Sequence, residues 1–198
     1  MKNKIEIIAE IAQGYEGSEK LTYLLTKGAI ASNADAVKFQ LVYADELATP
    51  DYEYYDLFKD LQMDKDVWIS VCNQIHEAGK KVYFDVFGLF SLDMAKEIGA
   101  DGVKLSTTEF YNNALFDRAI TQFDMIYLSV GGIPAEDIDK KLSSLSKEKM
   151  KKICLMYGFQ SEPTPLDQNN LNKLGIFKRR YPSFRVGFMD HSDGALDD

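Results

Sequence analysis

Apolar and polar positions along the chain follow two alternating patterns. Short runs of apolar residues, rich in isoleucine, valine and aromatic residues, are separated by longer segments with apolar residues at helical spacing. Runs of the first kind are typical of buried parallel strands, and segments of the second kind are typical of the helices that connect them. The pattern predicts seven strands, over residues 5–12, 34–42, 81–87, 101–106, 125–130, 152–157 and 184–188.

Six helical segments lie between the predicted strands. Ser18 can cap the first helix, Gly79 and Gly99 follow the ends of two others, and Pro134 opens a fourth. The predicted helices cover residues 18–33, 67–79, 92–98, 112–121, 134–147 and 167–180.

The connection over residues 43–66 is longer than most connections in compact domains. It contains Pro50 together with several aromatic and acidic residues, and we expect a loop with a short helix around residues 54–61. A loop of this length is often a functional lid, but a helical excursion packed on the outside explains the pattern equally well.

The order of strands and helices predicts the fold class. It is the order of a (β/α)8 barrel, with one strand and two helices missing. Barrels of this type usually take about 250 residues, whereas this chain has 198. A flavodoxin-like sheet needs fewer units, and seven parallel strands cannot close as the barrel does. We therefore expect an α/β fold, an incomplete TIM-type (β/α)8 barrel with about seven βα units. Its single domain would cover residues 1–198 and would be cut before its last unit.

Composition excludes several classes of partner. With 45% hydrophobic and 27% charged residues, the chain has the balance of an ordinary soluble domain. A net charge of −8 argues against a nucleic-acid groove or an anionic membrane surface as the main partner. No apolar run is long enough to span a bilayer, and the N-terminus lacks the pattern of a signal peptide. Cys72 and Cys154 have no metal-ligand spacing, so we expect buried free thiols and a cytoplasmic protein.

Two lysines lie inside predicted apolar strands, where a charged residue is unusual. Lys38, in AVKF, and Lys104, in GVKL, occupy matching positions, and a buried charge is costly unless it is paired or used. One such lysine is usually explained by snorkelling or a structural ion pair. Two of them, with acidic, hydroxyl and amide neighbours, predict a site for a phosphate or carboxylate anion. Other polar residues at predicted strand ends, where such a fold places its ligands, are Glu10, Gln40, Thr107, Glu109, Ser129, Asn170, Asp190 and His191.

Six short motifs in a fixed order resemble a known family. They are AEIA (9–12), AVKFQ (36–40), VKLSTTE (103–109), YLSVG (127–131), PTP followed by NL (163–171), and VGFMDHSDG (186–194). Each motif is weak alone, but together they resemble the N-terminal barrel of the N-acetylneuraminate (sialic acid) synthase family across essentially the whole chain.

The resemblance implies an activity and a set of site residues. Family members condense phosphoenolpyruvate with an N-acetylated hexose such as N-acetylmannosamine, using a divalent metal, commonly manganese or magnesium. By this resemblance Lys38, Lys104, Thr107 and Asn170 would bind phosphoenolpyruvate, and Glu10, Gln40 and Glu109 would hold the sugar or the reacting water. The expected catalytic residues are thus Glu10, Lys38, Lys104, Glu109 and Asp190, the substrate-binding residues are Gln40, Thr107, Ser129 and Asn170, and His191 is a metal ligand.

The chain also departs from the family pattern. Gly14 and Tyr15 stand where the family usually has Asn-His, and Asp85 stands in a strand that commonly carries phosphate-binding hydroxyls. A carboxylate near a phosphate would be repulsive. Tyr157 and Gly158 replace a His-Cys pair, and Met189 replaces a serine.

Part of the family pattern would lie beyond the last predicted strand, including a second metal histidine. We therefore expect this chain alone to be inactive or nearly so. The intact protein would be a carbon–carbon bond-forming transferase of carbohydrate biosynthesis, and a homo-oligomer. Two alternatives stay open: a Schiff-base aldolase of TIM-barrel type that uses Lys104 or Lys38, and a non-catalytic sugar-binding or assembly protein with an altered pocket.

Overall fold

Parallel strands alternate with helices along the chain, as the hydrophobic pattern predicts. The computed structural model describes residues 5–159 and 161–192. Asp193 and Gly194, which end the last motif, lie outside the described residues. The chain divides into two compact units, residues 1–104 and 105–198.

The first unit carries four parallel strands in the order of the chain. Glu10 lies opposite Lys38 on neighbouring strands, and Gln40 lies opposite Asp85. The strands are β1 (Ile8–Ala12), β2 (Ala36–Gln40), β3 (Lys81–Val86) and, at the boundary, β4 (Gly102–Leu105). The helices are α1 (Glu19–Ala31), α2 (Ala44–Leu47), α3 (Tyr55–Asp60), α4 (Lys65–Glu77) and α5 (Leu89–Glu97).

The second unit repeats the pattern with three parallel strands, again in sequence order. They are β5 (Ile126–Ser129), β6 (Ile153–Tyr157) and β7 (Arg185–Phe188). The helices are α6 (Asn113–Gln122), α7 (Ala135–Leu142), α8 (Lys147–Lys151) and α9 (Asn172–Arg180), with 3-10 turns at Thr107–Glu109 and Leu166–Gln168.

The predicted helix over residues 134–147 is wrong in one respect, because α7 ends at Leu142 and α8 begins at Lys147. Serine side chains explain the break. The hydroxyl of Ser143 donates to the carbonyl of Lys140, and the hydroxyl of Ser146 caps α8 by accepting from the amide of Lys149. Such local bonds offer the backbone an alternative to a continuous helix.

The two faces of β2 and β3 have opposite character, because successive side chains of a strand point to opposite sides. On one face Phe39 and Phe84 pack against Trp68 of α4, with ring centroids 5.3 and 5.4 Å from the indole. All three side chains are fully buried. The other face carries Lys38 and Asp85. The aromatic face therefore anchors the strands, and the polar face is available for a site.

The long connection contains two short helices, α2 and α3, and the predicted helix near residues 54–61 is confirmed. The carboxylate of Glu46 in α2 accepts hydrogen bonds from the amides of Phe90 and Ser91, at 2.7 and 3.0 Å. These amides lie in the first turn of α5, where they have no partner within the helix. A side chain at Gly88 would collide with this carboxylate. The connection is therefore a helical excursion fixed to α5 by Glu46.

Two further features of the described residues bear on the sequence predictions. Cys72 and Cys154 are buried, and neither is part of a disulfide, as expected. No helix within the described ranges combines the length and apolar character needed to cross a membrane.

Replacing Glu46 with alanine should destabilise the protein, because two amides at the start of α5 lose a charged acceptor. We expect the free energy of unfolding to fall by about 1–2 kcal/mol, measured by urea denaturation. Glu53→Ala, at an exposed acid of the same excursion, is the matched control and should change little. Equal effects of the two substitutions would contradict this role of Glu46.

Candidate functional site

Four charged residues of the first unit form one network around the buried side chains of Lys38 and Asp85. Glu10 lies on β1, Lys38 on β2, Asp85 on β3 and Lys104 on β4, so four consecutive strands each contribute one member. We call these four residues the lysine cluster. The parallel register brings Glu10 opposite Lys38, and the alternation of β3 places Asp85 on the same face.

Asp85 is the centre of the lysine cluster. It has no exposed surface, and its two carboxylate oxygens lie 2.6 Å from the Nζ atoms of Lys38 and Lys104. Burial by itself would raise the pKa of this carboxyl, but the charges of Lys38 and then Lys104 outweigh burial and hold the pKa below its ordinary value. Asp85 is therefore ionised at neutral pH and pairs with both lysines.

Lys38 pairs with two carboxylates. Its side chain is 8% exposed, and its Nζ contacts both Asp85 and Glu10. Burial alone would lower its pKa, but the charges of Asp85 and Glu10 raise it above the ordinary value. The amine therefore stays protonated, which works against its use as a Schiff-base nucleophile, because that chemistry requires the neutral form.

Glu10 is held in place from two sides. One carboxylate oxygen contacts Lys38, and the other accepts a hydrogen bond of 2.9 Å from the amide of Ala12. β1 has a bulge between Glu10 and Ala12, and Ala12 has a left-handed φ of 52°. Bulges and unusual backbone conformations of this kind are common next to active sites, where they redirect a side chain. Burial raises the pKa of Glu10 in spite of Lys38, and 44% of its side chain remains exposed. Glu10 is thus the accessible acid of the lysine cluster.

Lys104 completes the lysine cluster from β4. Its side chain is 13% exposed, and it is bonded to Asp85. Because an ammonium group has three N–H donors, its bond to Asp85 leaves donors for a further acceptor.

Gln40 lies beside Asp85 in register, but its amide is engaged elsewhere. Its Oε1 accepts from Nε2 of Gln13 at 2.7 Å, and its backbone carbonyl accepts from the hydroxyl of Tyr15 at 3.0 Å. Tyr15 is fully buried and packs edge-on against Trp68. Tyr15, which departs from the family pattern, therefore supports the end of β2.

In the second unit two predicted residues meet. The hydroxyls of Thr107 and Ser129 are 2.7 Å apart, and Thr107 also lies 3.3 Å from the carbonyl of Gly131. Glu109 instead accepts from the side-chain amide of Asn112 at 3.1 Å, while Asn112 caps α6 through the amide of Leu115. Glu109 is therefore oriented by the helix cap that follows it.

The loops after β6 and β7 hold the remaining predicted residues. Asn170 is exposed and has a left-handed φ of 45°. Asp190 accepts from the amide of Ser192 at 3.0 Å, and this hydrogen bond lowers its pKa.

His191 is oriented by one hydrogen bond. Its Nδ1 lies 2.7 Å from the carbonyl oxygen of Phe159. A carbonyl only accepts, so Nδ1 carries a proton, and in the neutral ring the lone pair of Nε2 is then available to a metal. This arrangement is common for metal-binding histidines, and in this respect His191 fits the predicted metal. Within residues 5–159 and 161–192, however, no group of three His, Cys, Asp or Glu residues could hold an ion.

The structure thus brings Glu10, Lys38 and Lys104 together through Asp85. In the sequence, Asp85 stands out only as a departure from the family pattern. The signal that could have identified Asp85 is its place in the apolar strand KVYFDV. Burying an unpaired carboxylate there costs free energy, as burying an unpaired lysine does. Opposite charges on the same face of neighbouring strands indicate an ion pair.

Replacing Asp85 with asparagine should be strongly destabilising, because it removes the partner that two buried ammonium groups share. We expect a loss of about 3–5 kcal/mol at neutral pH, measured by chemical denaturation. Asp56→Asn, at an exposed acid paired with Lys59, is the control and should have little effect.

The pH dependence of this loss has a defined sign. The folded pKa of Asp85 lies below its unfolded value of about 3.9, so its stabilising effect is fully present above that pH and disappears as the pH falls through the folded pKa. The stability difference between wild type and Asp85→Asn should therefore narrow below about pH 4. A difference that is unchanged down to acidic pH would contradict the ion-pair assignment.

Comparison with known proteins places this chain in a family. Residues 25–197 match the model of the NeuB family. Protein MJ1065 of Methanocaldococcus jannaschii is 25% identical over 96% of this chain and 56% of its own length. The spore coat polysaccharide biosynthesis protein SpsE of Bacillus subtilis is 23% identical, over 94% of this chain and 53% of its own. The chain therefore spans little more than half the length of these curated relatives.

A solved structure shows the same fold. The N-acetylneuraminic acid (sialic acid) synthetase of Leptospira borgpetersenii superposes with a TM-score of 0.87 and 24% identity, over 99% of this chain and 70% of that chain. This likeness and the strand order confirm the predicted fold class, an incomplete (β/α)8 barrel. Because the family model covers most of the chain, the chain belongs to the NeuB family.

Proposed function

We propose that the protein takes part in a phosphoenolpyruvate-dependent condensation with an N-acetylated hexose that forms a sialic-acid-like nonulosonate. Membership of the NeuB family supports this proposal. So do its similarities to a sialic acid synthetase with the same fold and to SpsE, a spore coat polysaccharide biosynthesis protein. The protein would then be a carbon–carbon bond-forming transferase of carbohydrate biosynthesis.

The lysine cluster is the observation that carries the proposal. Two lysines with little exposed surface present their ammonium groups on one face of the parallel strands. Such groups bind phosphate and carboxylate oxygens through charge-assisted hydrogen bonds. Phosphoenolpyruvate carries both anions on three carbons, which suits two ammonium groups that contact the same carboxylate and therefore lie close together.

The proposed roles of the site residues follow the resemblance to the family. Lys104 and Lys38 would bind the anionic groups of phosphoenolpyruvate, with Thr107, Ser129 and Asn170 as further substrate-binding residues. Gln40 and Glu109 would hold the sugar. Glu10 combines a raised pKa with an accessible side chain, which suits a general base acting on water.

The reaction requires one new carbon–carbon bond and the loss of phosphate. The methylene carbon of phosphoenolpyruvate attacks the aldehyde carbon of the hexose, the aldehyde oxygen takes up a proton to become a hydroxyl, and positive charge develops at C2. Water adds to C2 and gives up a proton to a carboxylate, the role proposed for Glu10. The C2–O bond to phosphate then breaks, and the new C2 hydroxyl passes its proton to the departing phosphate, leaving a ketone. Lysine ammonium groups offset the negative charge of the phosphate and carboxylate throughout.

A divalent metal, manganese or magnesium, belongs to the proposal as cofactor. His191 would hold it through the free Nε2, with Asp190 beside it. When bound, the ion would supply a Lewis acid for the aldehyde oxygen. The carbonyl of Phe159 orients this metal-binding side chain, because its hydrogen bond with Nδ1 fixes the ring of His191.

A Schiff-base aldolase is the main enzymatic rival. Borohydride trapping with pyruvate, followed by mass spectrometry, separates the two mechanisms. The proposal predicts no covalent adduct on either lysine, because Lys38 is held protonated between two carboxylates and Lys104 forms an ion pair with Asp85. A trapped adduct on either lysine would favour the rival.

Phosphoenolpyruvate should bind the chain, and Lys104→Met should weaken that binding. A hydrogen bond to a charged group is worth about 1.5–3 kcal/mol, so we expect Kd to rise about 10- to 150-fold. Isothermal titration calorimetry measures this change, with circular dichroism to verify the fold. Lys59→Met, at an exposed lysine of α3, is the matched control and should leave Kd unchanged. The proposal would be contradicted if the wild type did not bind phosphoenolpyruvate, or if Lys104→Met bound it with the same Kd as the wild type.

A further inference from the structure

The charge balance of the lysine cluster sets a limit on what it can bind. Two ammonium groups face two carboxylates, so the cluster is neutral when both acids are ionised and carries one positive charge when Glu10 is protonated. A highly charged anion therefore meets much less net attraction than two lysines alone would supply.

Asp85 is the member that a ligand cannot displace. It is fully buried at the end of β3 and bonded to both lysines. Glu10, by contrast, is partly exposed and has a raised pKa. An anion that approaches Lys104 or Lys38 must come close to the Asp85 charge, in a region where water screens it poorly.

We infer that Asp85 is a specificity-determining residue, whose charge lowers the affinity of the lysine cluster for ligands in proportion to their own negative charge. The inference rests on the proposed function, because it assumes that the anionic groups of the ligand contact Lys38 and Lys104. Relative to a neutral residue at this position, Asp85 shifts the preference of the lysine cluster towards a singly charged carboxylate and away from a multiply charged phosphorylated acid.

The repulsion competes with a positioning effect of the same residue. Asp85 also fixes the ammonium groups through hydrogen bonds of 2.6 Å. If positioning alone mattered, its neutralisation would weaken the binding of all anions alike. If charge matters, neutralisation changes the ratio between ligands of different charge. The ratio of two dissociation constants therefore separates the two roles.

The experiment compares phosphoenolpyruvate with pyruvate, which lacks the phosphate, as ligands of the wild type, Asp85→Asn and Asp85→Glu. We expect Asp85→Asn to bind phosphoenolpyruvate at least about tenfold more tightly than wild type, with pyruvate changed by less than about threefold. Asp85→Glu keeps the charge and should retain the wild-type ratio. Calorimetry measures all six constants, with circular dichroism to verify folding.

The outcomes separate this inference from the proposed function. If Asp85→Asn weakens both ligands equally or leaves their ratio unchanged, the inference is overturned while the proposed function stands. If neither the wild type nor either variant binds phosphoenolpyruvate, the proposed function is wrong, and the inference that rests on it is wrong as well.

A wild-type measurement keeps the inference testable if Asp85→Asn does not fold. The wild type should then prefer phosphoenolpyruvate over pyruvate by less than about tenfold, since the cluster has little net charge. A larger preference would overturn the inference.

Discussion

The ion pairs of Asp85 with Lys38 and Lys104 constrain the whole first unit. A carboxylate with no exposed surface is tolerated only because both of its oxygens contact ammonium groups at 2.6 Å. The same contacts fix β2, β3 and β4 relative to each other on their polar face. Burial of separate charges would be costly, so the cluster is stable only as a complete network.

The aromatic face of the same strands makes this network possible. Phe39 and Phe84 alternate with Lys38 and Asp85 and pack on Trp68. Apolar burial on that side stabilises the strands, since each large aromatic side chain removes much apolar surface from water. Stability and binding are thus divided between two faces of one sheet, and the binding face can hold charges that a core could not.

Much of the fold follows from the hydrophobic pattern, and less of the site does. Short apolar runs predicted all seven strands, and the alternation with helices predicted the fold class. The pattern did not predict the break between α7 and α8, because Ser143 and Ser146 compete with the helix through local hydrogen bonds. It also did not predict that Glu46 would fix the long connection to α5, because that contact joins residues 44 positions apart.

At the site, the sequence indicated the lysines but not what neutralises them. Lys38 and Lys104 stand out because each interrupts an apolar strand, and Glu10 follows from its place on β1. Which residue lies between two ammonium groups depends on strand register and on side-chain direction, and neither can be read from spacing along the chain. The roles of Asn170, Asp190 and His191 stay predictions.

The central claim is that the lysine cluster is the place where an anionic ligand binds. A crystal of the protein soaked with phosphoenolpyruvate tests it most directly. Our account predicts electron density with phosphate or carboxylate oxygens within hydrogen-bond distance of the Lys104 Nζ atom, and Asp85 still bonded to both lysines. Ligand density elsewhere on the molecule, with the lysine cluster unchanged, would contradict it.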